Sequence, residues 1–324
     1  VWKFSNKKTK VGMSNSAILS SSIAKKYWMA LTGLFLCLFL VGHLLGNLQL
    51  IFITGEEGKL AFNEYAYFMT HNPLIKVMSW LTYLSIIFHA VDGILLTIQN
   101  KKARPIPYAH NNPSANSSFP SRNMALLGSL ILIFIATHMA NFWWKMKYSS
   151  DPMPLHTETI FQPERAADGK IADVEKKAYR TTSNQLLPVE SFEVRNGNEL
   201  YAATEEMRAQ ISAMDPTYNP KGENPRIDYA YKDLHSVVLS FFGHDKTKDG
   251  VPAKNDMALF AVIFYVFSMI VMGFHLWHGF ASSFQSLGLN HKGYNNAIKL
   301  AGRGFAVLIP ALFAIIPVIL FMTK

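Results

Sequence analysis

Five of the eleven histidines, His43, His89, His138, His275 and His278, stand inside long apolar stretches. Ionisable side chains at membrane depth are costly and mark functional sites. Neutral imidazole is a good axial ligand for haem iron, and two imidazoles complete six-coordination. One such histidine alone reads more simply as a hydrogen-bonded packing residue. At least one on each of four successive apolar segments points to metal ligation. Four histidines on four helices would hold two haems, and facing helices of a bundle are a usual place for such a cofactor. The single cysteine, Cys37, excludes an intramolecular disulfide, an iron–sulfur cluster and a four-thiolate zinc site.

These histidines need elements to position them. Five stretches are apolar and almost free of charge: Tyr27–Ile53, Val77–Gln99, Met124–Trp144, Met257–Leu287 and Leu300–Met322. A helix needs about 20 apolar residues to cross a hydrocarbon core of about 30 Å, and all five suffice. A soluble fold of 324 residues has no interior for five such helices. The predicted fold class is therefore all-α integral membrane, with five transmembrane helices. Any haems would lie within the bundle of helices 1–4, and a large polar outer insert would separate helices 3 and 4. The expected organisation is a basic tail over 1–26, helices 1–3 within 27–144, the insert over 145–255 and helices 4–5 within 256–324.

Depth sorts the histidines into pairs. His43 follows Trp28, and His138 follows Asn123, by the same interval, which puts both about 22 Å above the inner face at 1.5 Å per residue. His89 and His275 lie about 15 and 18 Å up. The expectation is an outer pair, His43 with His138, and an inner pair, His89 with His275. Gly33, Gly42, Gly46, Gly93, Gly128, Gly273 and Gly279 accompany them. Small residues beside ligands suit a flat macrocycle, and small-residue packing between helices explains them as well.

The chain carries 31 Lys+Arg and 22 Asp+Glu, a net charge of +9. That balance invites a nucleic-acid reading, but its distribution is topological. With the N-terminus inside, the cytoplasmic segments carry Lys3, Lys7, Lys8, Lys10, Lys25 and Lys26, then Lys101, Lys102, Arg104 and Arg122, then Lys292, Lys299 and Arg303, with no acid among them. Such a bias sets orientation, and no nucleic-acid partner is expected. The first 26 residues lack a short apolar core with a cleavage site and read as a retained cytoplasmic tail. Most acids fall between Asp151 and Asp249, on the outer side. There the recurring Phe161, Tyr179, Leu186, Leu187, Phe192, Tyr201, Tyr218, Tyr229 and Tyr231 favour a folded cap over a free loop. A short amphipathic helix is expected over Tyr231–Phe242. His156, His235 and His244 read as surface histidines.

Tyr27–Trp28 followed by TGLFLCLFLVGHLLGN (Thr32–Asn47) resembles the first helix of the dihaem cytochrome b subunits of succinate:quinone and quinol:fumarate oxidoreductases. AFNEYAYFM (Ala61–Met69) is similar to that family's first outer loop. FHAVDGI (Phe88–Ile94), ATHMANFWW (Ala136–Trp144) and GFHLWHGFASSF (Gly273–Phe284) are similar to its later ligand helices. Each motif is weak alone, and the set is strong because it runs in order on the correct helices.

The resemblance implies a membrane anchor of respiratory complex II, linking the tricarboxylic acid cycle to the respiratory chain in a bacterial inner membrane. It implies two b haems, ligated by His43, His89, His138 and His275. The family's ligand stands four residues before a glycine, here Gly279, which selects His275 over His278. The implied partners are a flavoprotein subunit with FAD, which oxidises succinate or reduces fumarate, and an iron–sulfur subunit docked on the cytoplasmic face. Quinone, often menaquinone for dihaem anchors, would react near the outer haem and take two protons. Glu64 is the first candidate for the proton donor, with Tyr65 and Tyr67 as quinone contacts; the alternative is a solvated Glu64. No dicarboxylate catalysis is expected in this chain alone.

Two features depart from the pattern. The insert is far longer than the short loop of familiar relatives. Asp92 stands three residues after His89, where it would pair with an inner Arg such as Arg122 or Arg303, join a proton path, or sit hydrated at the interface. The rival readings are the cytochrome b anchor of another respiratory complex, such as a hydrogenase or formate dehydrogenase, and a haemless transporter.

Overall fold

The computed structural model describes residues 21–106, 110, 112–148, 153–165, 170–214, 217, 224, 226–243, 245–248, 251–254 and 256–323. Tyr218, His244 and the tail lysines Lys3, Lys7, Lys8 and Lys10 lie outside these residues.

In chain order the main helices are α1 (Ser22–Phe52), α2 (Gly55–His71), α3 (Pro73–Ala103) and α4 (Met124–Met139). Then come α5 (Glu205–Met214), α6 (Leu234–Phe242), α7 (Ala258–Ser286) and α8 (Asn295–Thr323). α4 runs on through a π-turn, Ala140–Trp144, and a last turn, Lys145–Tyr148. α1, α3, extended α4, α7 and α8 are each long and apolar enough to cross a membrane, so the chain is a multi-pass membrane protein. A helix is what such sequences must form, because lipid offers no partner to an unpaired backbone N–H or C=O. Leu74, Trp80, Phe260 and Leu300 are each more than 60% exposed, a surface that suits lipid and not water. Lys101 and Lys102 close the last turn of α3, where cations complement the helix dipole.

α1 begins before its apolar run, α3 and α8 extend beyond theirs at both ends, and α7 lies one residue inside its own at each end. α1 takes in Lys25 and Lys26, and α3 takes in Lys101 and Lys102. The segment with the motif AFNEYAYFM is not an open loop but α2.

The insert adds strands to this mostly helical chain. Its described residues form β1 (Thr157–Arg165), β2 (Ile171–Arg180) and β3 (Leu186–Pro188), an antiparallel sheet in that order. A second antiparallel sheet holds β4 (Phe192–Arg195), β5 (Glu199–Ala202) and β6 (Arg226–Tyr229). β7 (Asp245–Lys248) and β8 (Val251–Lys254) make a hairpin. The β4–β5 turn places Asn196 at φ 48° and Gly197 at φ 88°, the pair that tolerates left-handed backbone best. Phe192, Leu200 and Ala230 form the buried core of the insert, with Leu155, Tyr179, Leu187, Val194, Met207 and Ile227 packed on it.

The chain divides into two compact units. One comprises Val1–Val41, Trp80–Leu132 and Ile270–Pro310; the other comprises Gly42–Ser79, Ile133–Met269 and Ala311–Lys324. In the second unit a buried polar cluster ties α2 to the insert. Asn63, 1% exposed, donates to Asp233 Oδ1 at 2.9 Å and to His156 Nδ1 at 3.1 Å, and accepts from the His235 backbone N–H at 3.0 Å. Lys59 Nζ lies 3.4 Å from Asp233 Oδ2 and donates to the Thr157 carbonyl at 3.0 Å. Asp233 also caps α6, accepting from the Ser236 N–H at 3.0 Å and the Ser236 hydroxyl at 2.7 Å. His156 and His235 are therefore not surface histidines: they are 0% and 7% exposed. Their partner is Asn63, distant in sequence, and no local pattern announces it.

Candidate functional site

Each unit brings two histidines together. In the first, His89 of α3 and His275 of α7 have ring centroids 6.1 Å apart, with planes at 65°. In the second, His43 of α1 and His138 of α4 are 5.8 Å apart, with planes at 86°. These are the two pairs that helix depth predicts.

Hydrogen bonds assign the His89 tautomer. Its Nδ1 lies 3.2 Å from the Met29 carbonyl and 3.3 Å from Thr32 Oγ1. A carbonyl only accepts, so Nδ1 carries the proton. Thr32 spends its own hydroxyl hydrogen on the Trp28 carbonyl at 2.7 Å, so it too accepts. The His89 Nε2 lone pair is left free for a ligand bond. His275 Nδ1 is buried and without a hydrogen-bond partner among the described residues. Close backbone approach needs Gly33, where an added Cβ would lie 3.2 Å from His89 Cε1. At Gly128 the corresponding contact is His275 Cε1, at 3.7 Å.

The second pair is walled by aromatic rings. Phe134 and Phe142 lie 5.6 and 5.3 Å from the His138 ring, and Phe313 lies 5.7 Å from His43. His138 Nδ1 meets the Tyr265 hydroxyl at 3.2 Å. α6 of the insert adds Phe241 and Phe242, which pack on Phe142 and Tyr265.

Two imidazoles on one metal, each nitrogen about 2 Å from it, hold their centroids about 6 Å apart. Both pairs have that spacing. Among the described residues no group of three or more His, Cys, Asp and Glu gathers. Two protein ligands suit a haem, whose macrocycle supplies the other four nitrogens, and do not suit a structural zinc. The apolar walls suit a neutral imidazole. A Cβ at Gly42, Gly93 or Gly279 would meet no described atom within 4 Å, whereas Gly273 faces the Ala306 carbonyl and Pro310, as a helix-packing glycine does.

The other candidates separate clearly. His278 is half-buried, and its Nε2 lies 3.2 Å from Ser282 Oγ on its own helix, so it is engaged away from His89. Asp92 is half-buried, near enough for its charge to act on His89. Neither candidate arginine pairs with it: Arg122 donates to the Pro113 and Ser117 carbonyls, and Arg303 lies over the Trp277 ring at 5.5 Å. Glu64 is exposed on α2, and its charge acts on Arg180 and Tyr231 of the insert. Tyr65 packs on α1 at Gly46, where an added Cβ would fall 2.5 Å from its ring. That is three residues from His43. Burial pushes the Tyr65 phenol pKa up. Tyr67 stacks on His71 at 3.9 Å and meets Tyr231 edge-on.

Sequence reasoning did not single out Tyr265, Asn141, Met29 or Thr32. A tyrosine inside an apolar helix is the one usable signal, since a buried phenol needs a partner. The Met29 contact is a backbone carbonyl and leaves no trace in residue type. Compared with known proteins, the chain matches no protein-family model, no curated protein and no solved structure.

Proposed function

We propose that the chain is the membrane-anchor cytochrome b subunit of a succinate:quinone oxidoreductase. It would bind two b haems, one between His89 and His275 and one between His43 and His138, and pass electrons between an iron–sulfur subunit and quinone. The observation that carries this reading is the pairing of histidines from four different helices at 5.8 and 6.1 Å. The order of the family-like motifs supports the choice of complex.

Haem, when bound, supplies one-electron transfer; the chain supplies ligands, burial and hydrogen bonds. Met29 and Thr32 hold the His89 ring with Nε2 free. Phe134, Phe142, Phe241, Phe242 and Phe313 exclude water around the second pair. Tyr65, seated at Gly46, is a quinone contact in this reading, and exposed Glu64 brings protons from the aqueous side. The bias of the basic segments supports a cytoplasmic N-terminus, in a bacterial inner membrane in this reading. The flavoprotein and iron–sulfur partners dock on that face.

A pyridine haemochrome assay and a reduced-minus-oxidised spectrum on detergent-purified chain test the reading. The expected result is two b haems per chain with a low-spin bis-histidine spectrum. A well-folded preparation without a Soret band would overturn it in favour of a transporter.

A further inference from the structure

His138 differs from His89 and His275 in what its second nitrogen meets. Nδ1 of His89 faces a backbone carbonyl, and Nδ1 of His275 faces no described partner. Nδ1 of His138 instead meets the hydroxyl of Tyr265 at 3.2 Å. That hydroxyl is also hydrogen-bonded to the side chain of Asn141. Asn141 stands in the π-turn Ala140–Trp144, directly after His138's own helical turn. A π-turn widens the helix by one residue and is frequent at functional sites. Tyr265 is only 7% exposed and is fixed by Phe134, Phe241, Phe242 and Phe264 around it.

The chain of bonds has a direction once His138 ligates through Nε2. Nδ1 must then carry the proton and donate to the phenol oxygen. The phenol oxygen accepts it, and the Asn141 side chain is hydrogen-bonded to the same hydroxyl. An acceptor on the far nitrogen of a ligating imidazole fixes its orientation and raises its basicity. A more basic ligand favours the ferric over the ferrous state. The couple takes up one electron and no proton.

We propose that Tyr265, held by Asn141, is a positioning residue that fixes the His138 ring and lowers the reduction potential of the haem at the His43–His138 pair. This rests on the two-haem reading above. The insert takes part, because Phe241 and Phe242 hold the phenol in place.

The test is a potentiometric titration with electron paramagnetic resonance on the full chain in its purified complex. Wild type, Tyr265→Phe and Asn141→Ala are compared, each also in a His275→Ala background that leaves one haem. With Tyr265→Phe we expect two haems to remain. The ferrous-to-ferric ratio of the His43–His138 haem at fixed potential should rise about tenfold, an upward shift of about 59 mV for a one-electron couple. Its low-spin signal should move while that of the other haem stays. Asn141→Ala keeps the phenol and should give a smaller shift of the same sign, which preserves the test if Tyr265→Phe folds poorly. Two haems with unchanged potentials and signals in both variants would overturn the role of Tyr265 and leave the two-haem reading standing. A shift confined to the other haem would do the same. Wild type without haem would remove the reading itself.

Discussion

Gly33 shows how narrowly the His89 ring is placed. A Cβ at 3.2 Å from His89 Cε1 is tighter than ordinary van der Waals contact. The ring cannot retreat without losing the Met29 carbonyl at 3.2 Å. Gly33→Val adds two further methyl groups at this point. The expected outcome is loss of the haem at His89–His275 with the other retained, read as one haem per chain in the haemochrome assay. His278→Ala should keep both, since that imidazole is engaged with Ser282. Two haems in Gly33→Val would show that the ring has room that the contacts deny it. That these imidazoles meet in pairs was legible in the sequence, because imidazoles on apolar segments stand out. The hydrogen bonds that orient them were not. Met29 contributes only its backbone, and Tyr265 is separated from His138 by the whole insert.

At the scale of elements, the seam between α2 and the insert is sensitive to acid. Burial, first, and then Lys59 and Arg180 push the His156 pKa below the ordinary histidine value, against the pull of Asp233 and Glu158. Asn63 Nδ2 is a donor, so His156 Nδ1 must be an unprotonated acceptor, and protonation breaks that bond. Burial alone would raise the Asp233 pKa, but Lys59, Ser236 and Asn63 hold it below its ordinary value. The Arg180 bond, made at 2.6 and 2.7 Å, does the same for Glu158. Every shift has the same sign: the folded seam binds fewer protons than the free segments. The histidine contribution is complete above about pH 6.5 and fades below it, and the carboxylate contributions follow below about pH 4. Hydrogen-exchange protection factors of Leu155–Arg180 and of α6, corrected for the intrinsic rate at each pH, should therefore fall from about pH 7.5 to about pH 5. Asn63→Ala should open the same segments at neutral pH, because a buried donor or acceptor left unpaired costs about 1–3 kcal/mol. Unchanged exchange in both cases would mean that the seam is held by its apolar contacts alone. The long helices were legible from hydropathy, which is local. α6 was legible from its amphipathic run. The two sheets were not: β1 and β2 are mostly charged or polar and largely exposed, and β5 pairs with β6 across α5.

For the whole molecule, five spans fix sidedness once one segment is placed, because each crossing reverses it. The proposed orientation, drawn from the basic segments around Lys25, Lys101 and Lys299, has those ends inside and the insert outside. A cysteine introduced at exposed Glu190, in a Cys37→Ala background, should react with a membrane-impermeant maleimide in intact cells. One introduced at Lys101 should react only after permeabilisation. The reverse pattern would invert the proposed orientation.

The Asn63 cluster also imposes an order on synthesis. Asn63 is bonded to residues 93, 170 and 172 positions further along the chain. When α2 has just been made, none of those partners exists yet. Its side chain then bonds only to water until the insert arrives, after two more apolar segments have left the ribosome. Contacts so distant in sequence form late and slowly. α2 is thus a template waiting for the insert. Shortening that wait, by supplying the insert as a separate chain beside a protein that lacks it, would turn a step in folding into a step in assembly.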